Sequence, residues 1–108
     1  MALIVGDLSI ELVERLRPVI PRIKARDKNL ADQLQRAASS VALNIGEAEY
    51  SDPGNRRARF HTAAGSAGET RAAVRLAVAW RIVERGDCEP AMALLERILP
   101  MLWKLTRG

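Results

Sequence analysis

Reactive and metal-binding side chains are scarce in this sequence. Its 108 residues include one cysteine, Cys88, and one histidine, His61, so no internal disulfide can form and no thiolate or imidazole cluster is at hand for a metal. Aromatic residues make up 4% of the chain, which leaves no interleaved rings on which nucleobases could stack. No stretch approaches the roughly 20 apolar residues that span a bilayer, and no charged start followed by a secretory apolar run opens the chain. These absences argue against a membrane protein and against a metalloenzyme. They lead us to expect a soluble, cytoplasmic protein that needs no cofactor.

Alanine, leucine and arginine dominate, and strand-forming residues show no sustained alternation. The composition therefore favours helices, and the length fits one domain over residues 1–108. The expected fold is all-α, an antiparallel up-down-up-down four-helix bundle. A net charge of +4 and a sequence pI near 10.0 permit attraction to phosphate backbones, although many proteins that bind no nucleic acid share them.

The most regular segment is LADQLQRAASSVALNIGEA, residues 30–48. At about 100° per residue, Leu30, Leu34, Ala37, Ala38, Val41, Ile45 and Ala48 share one arc, with Arg36, Ser40, Asn44 and Glu47 opposite. Leu43 interrupts the polar side and is either plain exposure or the edge of a subunit contact. Before this segment, Asp7 or Ser9 can cap a first helix that carries Leu12, Val13, Leu16, Val19, Ile20 and Ile23 toward a core. Pro18 and Pro21 should kink it on its way to Arg26, and its second half is strongly basic. Asn29 has the position of an N-cap for the second helix, which should run to about Glu49.

A loop over residues 50–54 precedes a third helix expected from Asn55 to about Arg85. One of its apolar stripes holds Phe60, Ala63, Ala67, Thr70, Val74, Ala77 and Val78. The other holds Ala72, Ala73, Leu76, Ala79, Trp80 and Val83. A helix apolar on two sides wants two partners, so Leu76, Trp80 and Val83, with Leu43, are the candidate oligomer interface. Gly65 and Gly68 weaken helix propensity and suggest close approach of a neighbouring backbone. Gly86 and Asp87 should end this helix, Glu89 and Pro90 should open a fourth, and Pro100 should bend that one.

Nothing here has the pattern of an active site, and we expect no enzyme and no catalytic residue. Glu-x-x-His pairing of the kind that holds metals in bundles is missing, since His61 has no acid three residues before it. Arg36, Asn44, Glu47, Ser66 and Glu69 read instead as a structural polar set, with Arg36 expected to pair with Glu47 or Glu69. The candidate phosphate contacts are Arg22, Lys24, Arg26 and Lys28 at the end of the first helix and Arg56, Arg57 and Arg59 at the start of the third. The alternative is that the same arginines dock an acidic protein.

The blocks Gln33-Leu34-Gln35-Arg36-Ala37-Ala38-Ser39-Ser40-Val41, Asn44-Ile45-Gly46-Glu47-Ala48 and Ala63-Ala64-Gly65-Ser66 with Glu69, followed by Met101-Leu102 with Leu105, resemble the 23S rRNA intervening-sequence family of four-helix-bundle proteins. That family includes relatives of the accessory variability determinant of diversity-generating retroelements. The resemblance implies assembly as a ring-like homopentamer. By analogy with the retroelement relatives it implies RNA or DNA, or a protein such as a reverse transcriptase, as partner, and adds Arg71 and Arg75 to the candidate nucleic-acid contacts. Gly46 and Ala48 depart from the family's usual alanine and glycine, which predicts a longer second helix, and Pro100 is a further departure.

Overall fold

The computed structural model describes residues 2–107. Five helices follow in order: α1 Ala2–Leu16, α2 Ile20–Lys24, α3 Lys28–Ala48, α4 Pro53–Ala79 and α5 Arg85–Arg107. The expected four-helix architecture is present, with α2 as a short continuation of the first member. α3 packs on α4, α4 on α5, α5 on α1 and α1 on α3, which closes the bundle, while α2 lies against α3. Short connections make sequential neighbours antiparallel. No helix among the described residues is long and apolar enough to cross a membrane.

Pro18 does more than kink the first helix. The Arg17 amide still donates to Val13, but Pro18 has no amide to offer Glu14, and the chain turns through a Val19-to-Leu16 bond before α2 begins. Pro21 falls in the first turn of α2, where a missing donor costs nothing. α1 begins at Ala2 rather than at Asp7 or Ser9, and Ser9 is buried within it, donating to the Gly6 carbonyl at 2.6 Å. α5 runs through both Pro90 and Pro100.

Two aspartates set the helix starts. Asp27, not Asn29, caps α3, its carboxylate accepting from the Leu30 amide at 3.0 Å. Asp52 caps α4, accepting from the Asn55 amide at 3.0 Å. The Asn55 amide, helped by the Asn55 side chain, holds the Asp52 carboxyl below its ordinary value of 3.8. A depressed carboxylate stabilises the fold above its unfolded-state value, and that contribution is lost as pH falls through the folded one, so acid loosens the start of α4.

α3 ends at Ala48, with Glu49 as its C-cap, within a residue of the expected end. Arg56 reaches back from α4 to donate to the carbonyls of Ala48 and Ser51, both at 3.3 Å. The Ala48 carbonyl also accepts from the Ser51 amide at 3.2 Å, so Arg56 adds a side-chain donor to the turn that ends α3. α4 stops at Ala79, well short of Arg85. Arg81 adopts φ 59, its amide bonds Val78, and the Ile82 amide bonds Ala77 at 3.0 Å. This is a Schellman-type stop with arginine where glycine is usual, at a cost of about 1 kcal/mol. Gly86 and Asp87 accordingly lie in the first turn of α5 rather than at the end of α4.

The core draws on all five helices. Leu12, Leu16, Ile23, Leu34, Ile45, Phe60, Leu95, Ile98 and Leu102 are among its fully buried side chains. Alanines of α3 and α4 (Ala37, Ala38, Ala63, Ala64, Ala67) are buried beside them, so those two helices approach closely through small side chains. Thr70, buried on α4, donates to the Ser66 carbonyl at 2.7 Å.

Gly65 and Gly68 do not mark a close approach. A Cβ built on either meets nothing within 4 Å. Replacing either with alanine should therefore stabilise the folded chain by about 0.5–1 kcal/mol, the helix-propensity difference, and raise the thermal midpoint by several degrees. Thermal unfolding followed by circular dichroism checks this, and a lowered midpoint would contradict it.

Candidate functional site

The polar residues of α3 and α4 form one chain of hydrogen bonds. Ser66 Oγ of α4 donates to Ser40 Oγ of α3 at 2.8 Å, and Asn44 Nδ2 donates to the Ser40 carbonyl at 2.9 Å and to its hydroxyl at 3.0 Å. Arg59 Nη1 sits 3.5 Å from Asn44 Oδ1 and 3.0 Å from Glu47 Oε2. The helices are thus tied in register by Ser66, Ser40, Asn44, Arg59 and Glu47. Ser40 lies at the centre although its role was not legible, because a serine on a polar helix face looks like any solvated one.

Arg36 and Glu69 stand outside this chain. Within the chain Arg36 pairs with neither Glu47 nor Glu69: Glu47 is taken by Arg59, and Arg36 has no ion-pair partner among the described residues. Arg36 and Glu47 lie eleven residues apart on one helix, roughly 16 Å along its axis, beyond side-chain reach. Arg36 instead lines an open groove of about 590 Å³ on α3 with Ser39, Ser40, Asn44, Glu47 and Arg59.

The cations divide by what holds them. Arg22 pairs with Asp87 at 2.9 Å, Arg71 with Glu96 at 3.2 Å, Arg59 with Glu47, and Arg56 with the carbonyls that end α3. Lys24, Arg26, Lys28, Arg57 and Arg75 are exposed and have no ion-pair partner among the described residues. The two basic clusters do not form one patch. Lys24, Arg26 and Lys28 gather where α3 starts, and Arg56, Arg57 and Arg59 belong to the first turns of α4 around its other end, the two ends being about 30 Å apart by the length of α3.

Three of the four candidate interface residues are exposed: Leu43 at 65%, Leu76 at 49% and Trp80 at 71%. Val83 is not one of them, being only 4% exposed in the core. It follows the reversal at Arg81, where helical periodicity no longer says which way a side chain faces. Ala73 is buried as well, so the outer stripe of α4 reduces to Ala72, Leu76, Ala79 and Trp80.

Among the described residues no group of three or more His, Cys, Asp or Glu could hold a metal. Cys88 is buried, and burial first, then the Asp87 charge, pushes its thiol up, with Arg22 opposing. Such a thiol is a poor nucleophile. His61 meets Trp103 edge-on with ring centroids 5.5 Å apart, a packing contact between α4 and α5.

Fold and polar network together define an all-helical bundle whose signature polar residues lock α3 to α4. Residues 1–104 match the 23S rRNA-intervening sequence protein family, and the chain belongs to it. Its fold is also that of a solved protein of unknown function from the S23 ribosomal protein family of Bacteroides thetaiotaomicron. The TM-score is 0.87 at 21% identity, over 96% of this chain and 99% of that one. No curated protein matches the sequence.

Proposed function

We propose that this chain is a non-enzymatic, self-assembling scaffold of the cytoplasm that holds RNA or DNA through its phosphates. The observation that carries this reading is the cluster Lys24, Arg26 and Lys28. The one acid among them, Asp27, caps α3 and makes no ion pair with them among the described residues, and its charge offsets only one of the three cations. Assembly is supported by the exposed Leu43 and by Leu76 and Trp80. These lie on two different helices, which allows a head-to-tail contact between unlike patches, the kind that forms a ring where the rotation between subunits closes. The family resemblance suggests five copies, and a ring would repeat each cluster about its axis and multiply weak contacts.

The test is binding of labelled single- and double-stranded oligonucleotides across a salt series. Wild-type affinity should fall steeply with salt on both RNA and DNA. Reversing Lys24, Arg26 and Lys28 to Glu should flatten the slope on duplex by about 3 per bound subunit, at roughly 0.9 for each phosphate no longer neutralised. Lys28→Glu places an acid in the first turn of α3, where the helix dipole favours it, so the fold should survive. Binding unaffected by salt or by the triple reversal would sink the proposal. A protein that retains only an acidic protein partner would move the function to protein docking.

A further inference from the structure

We propose that Arg22, Arg81 and Arg85 form a pocket for a single phosphate group, that of a nucleic-acid backbone in the function proposed above, on which this inference rests. The three arginines come from separate elements: α2, the turn after α4, and the first residue of α5. They line one cavity of about 340 Å³ with Val78, Ile82, Val83 and Glu84. Arg81 and Arg85 were not recognisable as candidates in the sequence. The reversal at Arg81 ends α4 early, and both arginines then line the same cavity as Arg22.

The electrostatics select an anion of low charge. Arg22 is held at 2.9 Å by Asp87, which fixes its guanidinium, while Arg81 and Arg85 have no ion-pair partner among the described residues. Against these three cations stand Asp87 and Glu84, leaving an excess of one positive charge, which suits a phosphodiester. Planar guanidinium forks match phosphate oxygens in pairs. Val83 is buried and Ile82 half-buried beside them, so one wall of the cavity is apolar and screens the charges less than water would. Arginine at a φ of 59 is also informative. Glycine would serve the backbone better, and a residue standing against local preference is a reason to look for function. α2 also carries Lys24, and the chain leads from it directly to Arg26 and Lys28, so the pocket continues the basic cluster.

The experiment has two arms on the full chain. In the first, oligonucleotide affinity across salt is compared for wild type, Arg81→Gly, Arg85→Ala, Glu84→Gln and, as an exposed control further along α5, Arg97→Ala. Arg81→Gly keeps the turn, because glycine accepts its backbone conformation. Each pocket arginine removed should weaken binding several-fold and flatten the salt slope by about 1, while Glu84→Gln should tighten binding and Arg97→Ala should change neither. In the second arm, inorganic phosphate is titrated against chloride at constant ionic strength, and the amide resonances of residues 81–85 are followed by NMR. These should shift in wild type and stay put in the double variant Arg81→Gly/Arg85→Ala.

If wild type binds oligonucleotides but the pocket variants bind equally well with unchanged slopes, the pocket is wrong and the proposed function stands. If wild type binds no oligonucleotide yet phosphate shifts those amides, the pocket stands as a site for free phosphate and the nucleic-acid reading falls. No response in either arm overturns both.

Discussion

Trp80→Asp should turn an oligomer into a folded monomer. Trp80 is 71% exposed, so its removal opens no cavity in the bundle. It caps α4, so an aspartate there opposes the helix dipole, at a cost of about 0.3–1 kcal/mol that a domain of this size tolerates. At a subunit contact, however, a buried aromatic anchor replaced by a charge loses apolar area and strands an unpaired carboxylate, a loss of several kcal/mol at each interface. Light scattering should show the mass falling to that of one chain while the helical circular dichroism is kept. An unchanged mass would place the interface elsewhere on the molecule.

Phe60→Ala should have the opposite signature, with stability lost and no surface changed. Phe60 is the largest fully buried side chain, and its truncation leaves a cavity worth about 3–5 kcal/mol. A chain of this length has about 5–15 kcal/mol of stability in all, so the thermal midpoint should drop by more than roughly 10 °C. Chemical denaturation measures the loss directly, and a change under about 1 kcal/mol would mean that Phe60 is not tightly packed.

Helical periodicity carries the reading where one helix faces one core. Leu30, Leu34, Ala37, Ala38, Val41, Ile45 and Ala48 share one arc of α3 by their spacing, and all are buried. Periodicity fails where the chain leaves the helix for a reason that residue type does not announce. Arginine is not a left-handed residue by preference, so nothing before Gly86 signals the stop at Arg81. A continued helix therefore puts Val83 on an outer stripe, whereas it lies in the core.

The polar set is legible as a set but not as a network. Sequence names which residues are polar, whereas the Arg59 pairing with Glu47 depends on how α4 lies against α3. The basic clusters are visible as runs of charge. Their separation by the length of α3, and the commitment of Arg22, Arg56, Arg59 and Arg71 to partners within the chain, are not. Reversing Arg56, Arg57 and Arg59 together would for that reason disturb the junction of α3 and α4, and Arg57→Glu is the cleaner probe of that end.

Whether the protein is an assembled scaffold that holds nucleic acid is decided by its native mass before and after nuclease treatment, with ultraviolet absorbance recording any copurified nucleic acid. The expected result is an oligomer, five copies by the family resemblance, that carries nuclease-sensitive material and keeps its oligomeric mass once that material is removed. A clean monomer would contradict both the assembly and the binding.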